Sequence, residues 1–364
     1  MGIKESLNNL RDDLEVSRPT IFDLDKKEDA DAIKSLMEAN KIVKAVDYID
    51  EERKELSLIR NPKLLLEKLE SQKVNQDEDG VWVYYPWRQT IVHCLDEENY
   101  NKLRLSRNRE LINEKEQAEF GELRIGYAGL NVGNSIALCV ALEGGGQQLT
   151  KLADNDTLDF SNLNRFRAGV CELGINKAVL SARQIYEINP FAKIEVLPEG
   201  IKEDEVGDFL KKPKIDILVE EMDNLGLKIK IRKEARENGI PVVMITGNGA
   251  GVIVDIERFD QNRNLPLLSG HLEEGVIQRI EAGPKTLEDK VSLARDFMGK
   301  DFLAPRLNQS FDLIGKKIVG IPQISEASYL RGAVVCNILR NLIGENIKSG
   351  RYHFNLSDLF KEGK

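Results

Sequence analysis

The sequence predicts an α/β protein: a mostly parallel sheet with helices on both faces, plus a smaller N-terminal α+β domain. Three observations carry the prediction. Short apolar runs alternate with longer helical stretches between residues 123 and 245. The connections between them are short, as in sheets wound from strand–helix–strand units. Glycine clusters and Asn-Pro steps, such as Gly144-Gly145-Gly146 and Asn189-Pro190, punctuate the ends of the runs.

Residues 1–95 read as a domain of their own, with residues 96–364 as the larger one. Residues 30–39 and 53–59 have helical patterning among many charges, and Asn61-Pro62 marks a turn. Residues 64–69 begin another helix, and residues 71–80 are a polar loop. Residues 81–88 and 90–95 read as two strands or one broken strand, with Pro86 at an edge or bulge. Trp82 and Trp87 read as packing anchors and His93 as a satisfied core histidine. Residues 96–120 look helical and carry Arg104-Leu-Ser-Arg107-Asn-Arg109. A charge run of this kind is ordinarily a solvated helix face.

The stretch from 123 to 165 organises the rest. A strand at 123–128 leads into a glycine turn, Gly129-Leu-Asn131-Val-Gly133, then a helix at 134–143 and a second strand at 149–153 that ends on Asp154. Glycine lets the backbone approach a phosphate closely. The helix N-terminus offers free N–H groups and partial positive charge to that anion. Asp154 lies about twenty residues beyond the turn, the spacing of an acid that hydrogen-bonds a ribose hydroxyl. The turn reads G-x-x-x-G, one residue short of G-x-G-x-x-G. A tight helix–strand junction without a ligand is the plain alternative. Further strands read at 194–197, 215–219 and 240–245; Gly174-Ile-Asn-Lys177-Ala178 opens a helix running to Ile188, and another helix reads at 225–238. The whole is Rossmann-like. In such sheets the ligand sits beyond the carboxyl ends of the strands. Asp154, the loop at 162–165 and Asp223 all fall there.

Composition sets limits. A chain of 364 residues suggests about two domains. A net charge of −9 argues against a large nucleic-acid footprint. Cys94, Cys139, Cys171 and Cys336 form no C-x-x-C pair and read as reduced thiols of a cytoplasmic protein. No apolar run approaches a membrane span. The first residues are polar and acidic, unlike a signal peptide.

The segment Asp154-Asn-Asp156-Thr-Leu-Asp-Phe-Ser161-Asn162-Leu163-Asn164-Arg165 has the form D-x-D-x-(V/L)-x-x-S-N-L-x-R. Gly174-Ile-Asn-Lys177-Ala178 follows, then Asp223-Asn224 at a strand end, with Arg104-Leu-Ser-Arg107 upstream. In this order the motifs resemble those of the ThiF/MoeB-like adenylyltransferases, the superfamily of the ubiquitin-activating enzymes. The resemblance implies ATP-dependent conversion of a carboxylate to an acyl-adenylate, with pyrophosphate released. It implies Asp154 at the ribose, with Gly129, Asn131, Gly133 and Asp156 also lining the nucleotide site. Asn162, Arg165 and Lys177 would hold the phosphates, and Asp223 would position Mg²⁺. Arg107 would reach the phosphates from the partner subunit of a homodimer. The implied acceptor is the C-terminus of a small ubiquitin-like or sulfur-carrier protein, or of a peptide. Such an attack needs no protein base, because a carboxylate is already ionised at neutral pH.

Three departures qualify the match. The glycine turn is short, with Leu130 and Asn131 where the family has smaller residues. No C-x-x-C pair is present, so no zinc is expected. Residues 252–318 hold no cysteine, so adenylation without a covalent thioester is expected. Two other readings stay open: an NAD-binding oxidoreductase, since Asp154 would also suit an NAD ribose, and a non-catalytic nucleotide-binding scaffold.

Overall fold

The computed structural model describes residues 17–66, 80–344 and 346–360. The chain divides into two compact units. One runs to Gln117 and takes in Ala182–Ala192; the other comprises Ala118–Ser181 and the chain from Lys193 onward.

The first unit is built on a four-stranded sheet. Its elements are β1 (Thr20–Phe22), α1 (Lys27–Glu38), β2 (Lys44–Asp47), α2 (Ile49–Arg60), β3 (Gly80–Tyr85), β4 (Thr90–Leu95) and α3 (Glu97–Arg104). The order is β1-β3-β4-β2, with β2 parallel to β4 and the other pairs antiparallel. Pro86 sits in the hairpin connection, a short 3₁₀ turn closed by Gln89 at φ +47. This settles the strand reading as two strands. Proline fits there because its missing N–H would otherwise break a ladder. His93 stacks on Trp82 with ring centroids 4.5 Å apart, and its Nδ1 lies 3.0 Å from Asp47 Oδ1. The helix expected at 64–69 is a one-turn 3₁₀ segment, Pro62–Leu66; its remainder and nearly all of the loop at 71–80 lie outside the described residues.

Between the sheets come α4 (Glu114–Glu122) and, ahead of it, a 3₁₀ turn, Ser106–Asn108. The long helix expected at 96–120 is therefore broken after Arg104, and Glu110 adopts φ +71 within the break.

The second unit holds a seven-stranded sheet. It runs through β5 (Arg124–Ala128), α5 (Leu130–Leu142), β6 (Leu149–Ala153), α6 (Lys177–Ile188, whose residues from Ala182 on are counted with the first unit), β7 (Ile194–Leu197), α7 (Val206–Lys211), β8 (Ile217–Glu220), α8 (Leu225–Glu237), β9 (Val242–Asn248) and β10 (Gly251–Glu257). Helices α9 (Glu274–Ala282), α10 (Leu287–Met298), α11 (Pro305–Ser310) and α12 (Ser325–Ile343) follow, then β11 (Gly350–Asn355). The order is β11-β10-β9-β8-β5-β6-β7; β9 through β7 are parallel, while β10 and β11 run antiparallel. The strand–helix alternation expected at 122–250 is present, and the sheet is mostly parallel as read. The two antiparallel strands were not anticipated. All seven residues of β10 are buried, so it lacks the alternation that marks a strand, and it carries Asp255 and Glu257. Both acids are paired inside: Arg351 Nε lies 2.7 Å from Asp255, and Arg232 Nε lies 2.9 Å from Glu257.

The helix start also differs from the expectation. It was read at Asn134 and begins at Leu130, so Asn131 and Gly133 lie in its first turn. Only Gly129 takes a positive φ. One residue suffices to turn the chain from strand to helix, which is why the motif is short. At its far side α5 packs on α12 so closely that a Cβ at Gly332 would fall 2.6 Å from Ser135 O. Under the carboxyl end of β8, Lys228 Nζ lies 3.1 Å from both oxygens of buried Glu220, and Arg232 bridges Glu220 to Glu257. No helix among the described residues is long and apolar enough to cross a membrane.

Candidate active site

The site is assembled from the carboxyl ends of β5, β6 and β8. Gly129 leaves β5 at φ +89, and its N–H donates to Ala153 O at 2.8 Å. A Cβ there would lie 2.6 Å from the Glu221 carbonyl, so no other residue fits the crossing. The next N–H, of Leu130, opens α5 and donates to Asp154 Oδ2 at 2.6 Å. Asp156 N–H donates to the other oxygen at 2.8 Å. A carboxylate at a helix N-terminus satisfies an orphan donor and meets the positive end of the dipole. Burial pushes the Asp154 carboxyl above its ordinary range, while the two N–H donors and Lys177 pull the other way. Each oxygen keeps a further lone pair for a ligand.

Lys177 opens α6. Its ammonium lies 2.9 Å from Asp156 Oδ2, with the lysine side chain 4% exposed and the aspartate 61% exposed. Asn176 places it. Its Oδ1 accepts from Ala178 N–H at 2.8 Å, and its Nδ2 donates to Asp154 O at 2.9 Å and Pro198 O at 3.0 Å. One asparagine thus caps α6 and ties its start to the ends of β6 and β7. Sequence reasoning passed over it, although an Asn directly before a helix is a capping signal.

Asn162 is buried and shapes the loop. Its Oδ1 accepts from Asp159 N–H at 3.1 Å, and its carbonyl accepts from the N–H groups of Arg165 and Phe166. The loop presents Arg165, whose Nη1 donates to Ser161 O and Asn164 Oδ1, both at 2.9 Å. Its Nε is buried without a partner. Burial lowers its pKa and Asp223 opposes that, so the two charges feel each other. Asp223 itself is exposed, just beyond β8, beside Asn224, which caps α8 by accepting from Leu227 N–H at 3.0 Å.

Gly129, Asn131, Asp154, Asp156 and Asp223 line one cavity of about 390 Å³. Gly133, Asn162, Arg165 and Lys177 are not among its lining residues; Lys177 reaches it through its contact with Asp156. A larger cavity of about 720 Å³ adjoins it and shares residues Glu221 to Asn224. Glu221 was missed by the sequence reading. It is buried, accepts from Ile245 N–H at 2.7 Å, and burial pushes its carboxyl up to about 8. Arg107 belongs to the first unit, exposed on the turn Ser106–Asn108. Apart from the site, Cys139, Glu143 and Cys336 bring donor atoms within 4.8 Å of one another, and Glu143 is paired with Arg340 at 2.7 Å. This approach is not legible in the sequence, because the two cysteines sit on different helices.

A glycine-turned strand–helix crossover with acids and cations at the sheet's carboxyl ends defines a Rossmann-like protein. Residues 105–264 match the ThiF family and form a ThiF family domain. An uncharacterised protein of Mycobacterium tuberculosis, MT1398, is 34% identical over 282 residues, which is 77% of this chain and 38% of that one. The chain therefore spans about two-fifths of that relative's length. Among solved structures, the Escherichia coli tRNA N6-threonylcarbamoyladenosine dehydratase TcdA, in complex with AMP, is 19% identical; the match covers 67% of this chain and 95% of that one, with a TM-score of 0.50. Escherichia coli MccB with ATP is 14% identical over 70% of each chain, with a TM-score of 0.46. The likeness to TcdA is one of fold.

Proposed function

We propose that this chain uses ATP to adenylate a carboxylate and releases pyrophosphate. The observation that carries the reading is the gathering of Lys177, Arg165, Asp154 and Asp223 at the carboxyl end of the parallel sheet, within a ThiF domain. A ribose acceptor, two cations and an exposed carboxylate fit a nucleoside triphosphate. They exceed what a dinucleotide requires, which disfavours the NAD reading. That the fold also belongs to a protein solved with AMP is consistent with this.

In the proposed reaction a substrate carboxylate oxygen attacks the α-phosphorus. The bond from that phosphorus to the bridging oxygen breaks, and its electron pair leaves with pyrophosphate. An anion approaches an anion, so Lys177 and Arg165 offset the repulsion and stabilise the charge that develops. Lys177 would exchange its contact with solvent-facing Asp156 for a phosphate oxygen. Asp154 would orient the ribose while holding the start of α5. Asp223 is an exposed oxygen donor between the two cavities, which suits a hard cation. Bound there, Mg²⁺ would neutralise phosphate charge.

The acceptor in this reading is the C-terminus of a small carrier protein or peptide. In this reading residues 96–364 carry the activity and residues 1–95 are a domain of their own with no assigned role. The enzyme works as a cytoplasmic homodimer in which Arg107 of one subunit serves the site of the other. Mixing Arg107→Ala with Lys177→Ala chains should then restore activity in the heterodimer. The first test is calorimetry with Mg-ATP and with NAD, followed by ATP–pyrophosphate exchange over a panel of peptides and carrier proteins. Tight NAD binding without ATP binding refutes the proposal. ATP binding without exchange on any acceptor leaves the scaffold reading in its place.

A further inference from the structure

The larger cavity holds a feature the nucleotide chemistry does not use. Arg331, on α12, is 2% exposed and lines this cavity. Its Nε is buried with no hydrogen-bond partner, and its one long contact is Nη2 to Gln323 Oε1 at 3.5 Å. It has no ion-pair partner among the described residues. A buried guanidinium stays charged and is costly to hold without a counter-charge. The nearby charged groups are Glu221, which favours it, and Arg165 and Arg167, which oppose it. Glu221 spends one oxygen on Ile245 N–H. Room for the guanidinium is made by Gly247, where a Cβ would lie 3.0 Å from Nη1. Arg331 is thus a buried cation on the cavity wall with no paired counter-charge among the described residues, which suits it to hold an anion.

Part of the wall is apolar, formed by Ile245, Leu293, Phe297, Met298 and Ile321, while Glu203, Glu281, Lys228 and Lys290 also line the cavity. Its volume, about 720 Å³, lies within the roughly 300–1,000 Å³ of ligand-binding pockets. It opens on the nucleotide cavity through the shared segment Glu221 to Asn224. We propose that this cavity binds the acceptor, that Arg331 holds the acceptor's carboxylate, and that this carboxylate is carried on a bulky apolar terminal residue. The inference rests on the adenylation reading and narrows its substrate. A terminus of glycines would leave the apolar wall uncovered. An apolar side chain covers that part of the wall while its carboxylate pairs with Arg331.

The test uses the full chain loaded with a non-hydrolysable Mg-ATP analogue. The probes are N-acetyl-Leu-Phe, its C-terminal amide and N-acetyl-Gly-Gly, measured by calorimetry. The acid should bind about tenfold more tightly than either control, as expected of a charge-assisted hydrogen bond. Arg331→Met should erase that preference while nucleotide affinity stays within about twofold. If Arg331→Met loses nucleotide binding as well, Ala294→Phe reads the same cavity with Arg331 intact and should block the acid. Equal binding of acid and amide, no binding of the acid, or a preference that survives both variants overturns the inference while leaving adenylation standing. Failure of the wild-type chain to bind the nucleotide refutes the adenylation reading, and this inference with it.

Discussion

The two glycines of the turn look interchangeable in the sequence, and the structure separates them. Gly129→Ala puts a side chain where φ is +89 and where a Cβ meets the Glu221 carbonyl carbon and oxygen at 2.6 Å and Met222 N at 2.7 Å. Those atoms are backbone, and the same segment is tied back by Glu221 N–H to Ala128 O at 2.7 Å, so they have nowhere to move. Unfavourable φ costs about 1–3 kcal/mol, and forced packing costs about 1–3 kcal/mol more. The total is a sizeable share of the roughly 5–15 kcal/mol that holds a domain together. Gly133→Ala falls inside α5 without a positive φ, and its nearest neighbour is Leu130 Cδ2 at 3.4 Å, an ordinary contact. There alanine gains about 0.5–1 kcal/mol of helix propensity. For a unit of this size about 1 kcal/mol moves the melting temperature by about 2–4 °C. Thermal unfolding should therefore fall by roughly 5–20 °C in Gly129→Ala, and rise slightly in Gly133→Ala. Mg-ATP binding by calorimetry should be lost only in the former. A Gly129→Ala chain as stable as wild type, or a Gly133→Ala chain destabilised to the same degree, would show the reasoning to be wrong.

Other consequences follow from single groups. Lys177→Met should slow ATP–pyrophosphate exchange by about 10²–10³-fold, yet shift the urea midpoint little, because the partner it abandons, Asp156, faces solvent. Glu52 accepts from Leu95 N–H at 2.9 Å, and burial raises its carboxyl above the ordinary value of 4.5. The folded state then holds that proton more tightly than the unfolded chain, so stability is lost as pH rises above about 4.5; Glu52→Gln should flatten the urea midpoint between pH 4 and 7, and an unchanged slope would count against it. At pH 8 iodoacetamide should label exposed Cys171, while Cys94, whose thiol burial pushes up to about 12, should stay unlabelled until the chain unfolds; peptide mass mapping reads both.

The parallel half of the fold was legible because its strands are short, apolar and separated by helices of clear period. Strands β6 and β7 were read at their observed bounds. The antiparallel half was hidden for a physical reason. Strand β10 is buried on every residue, and its two acids look like surface residues until Arg232 and Arg351 are seen beside them. The start of α5 was misplaced for a related reason. Leu130, Asn131 and Val132 gave no cap, because the cap is the carboxylate of Asp154 on the next strand. A helix start that depends on a residue distant in sequence cannot be read from its own neighbourhood.

The same distinction runs through the site. Asp154, Asp156, Arg165 and Lys177 were legible as a set because they lie in one stretch whose order is itself the signal. Glu221 stands beside Asp223 and was still overlooked, since nothing local shows that its carboxyl is buried and its neighbour's exposed. Arg331 was further from view. It sits in an apolar helix, where an arginine ordinarily reaches past its neighbours to solvent. What singles it out is that it does not. Its guanidinium turns inward, finds no carboxylate within pairing distance among the described residues, and is left with a buried Nε. The energy of such a charge is unfavourable unless something supplies its counter-ion. A fold keeps that arrangement only if the free protein is stable enough to carry it, and the bound state is where the cost is recovered. The residue proposed to hold the acceptor is therefore marked by a buried, unpaired charge, and such a charge has no signature in a linear sequence.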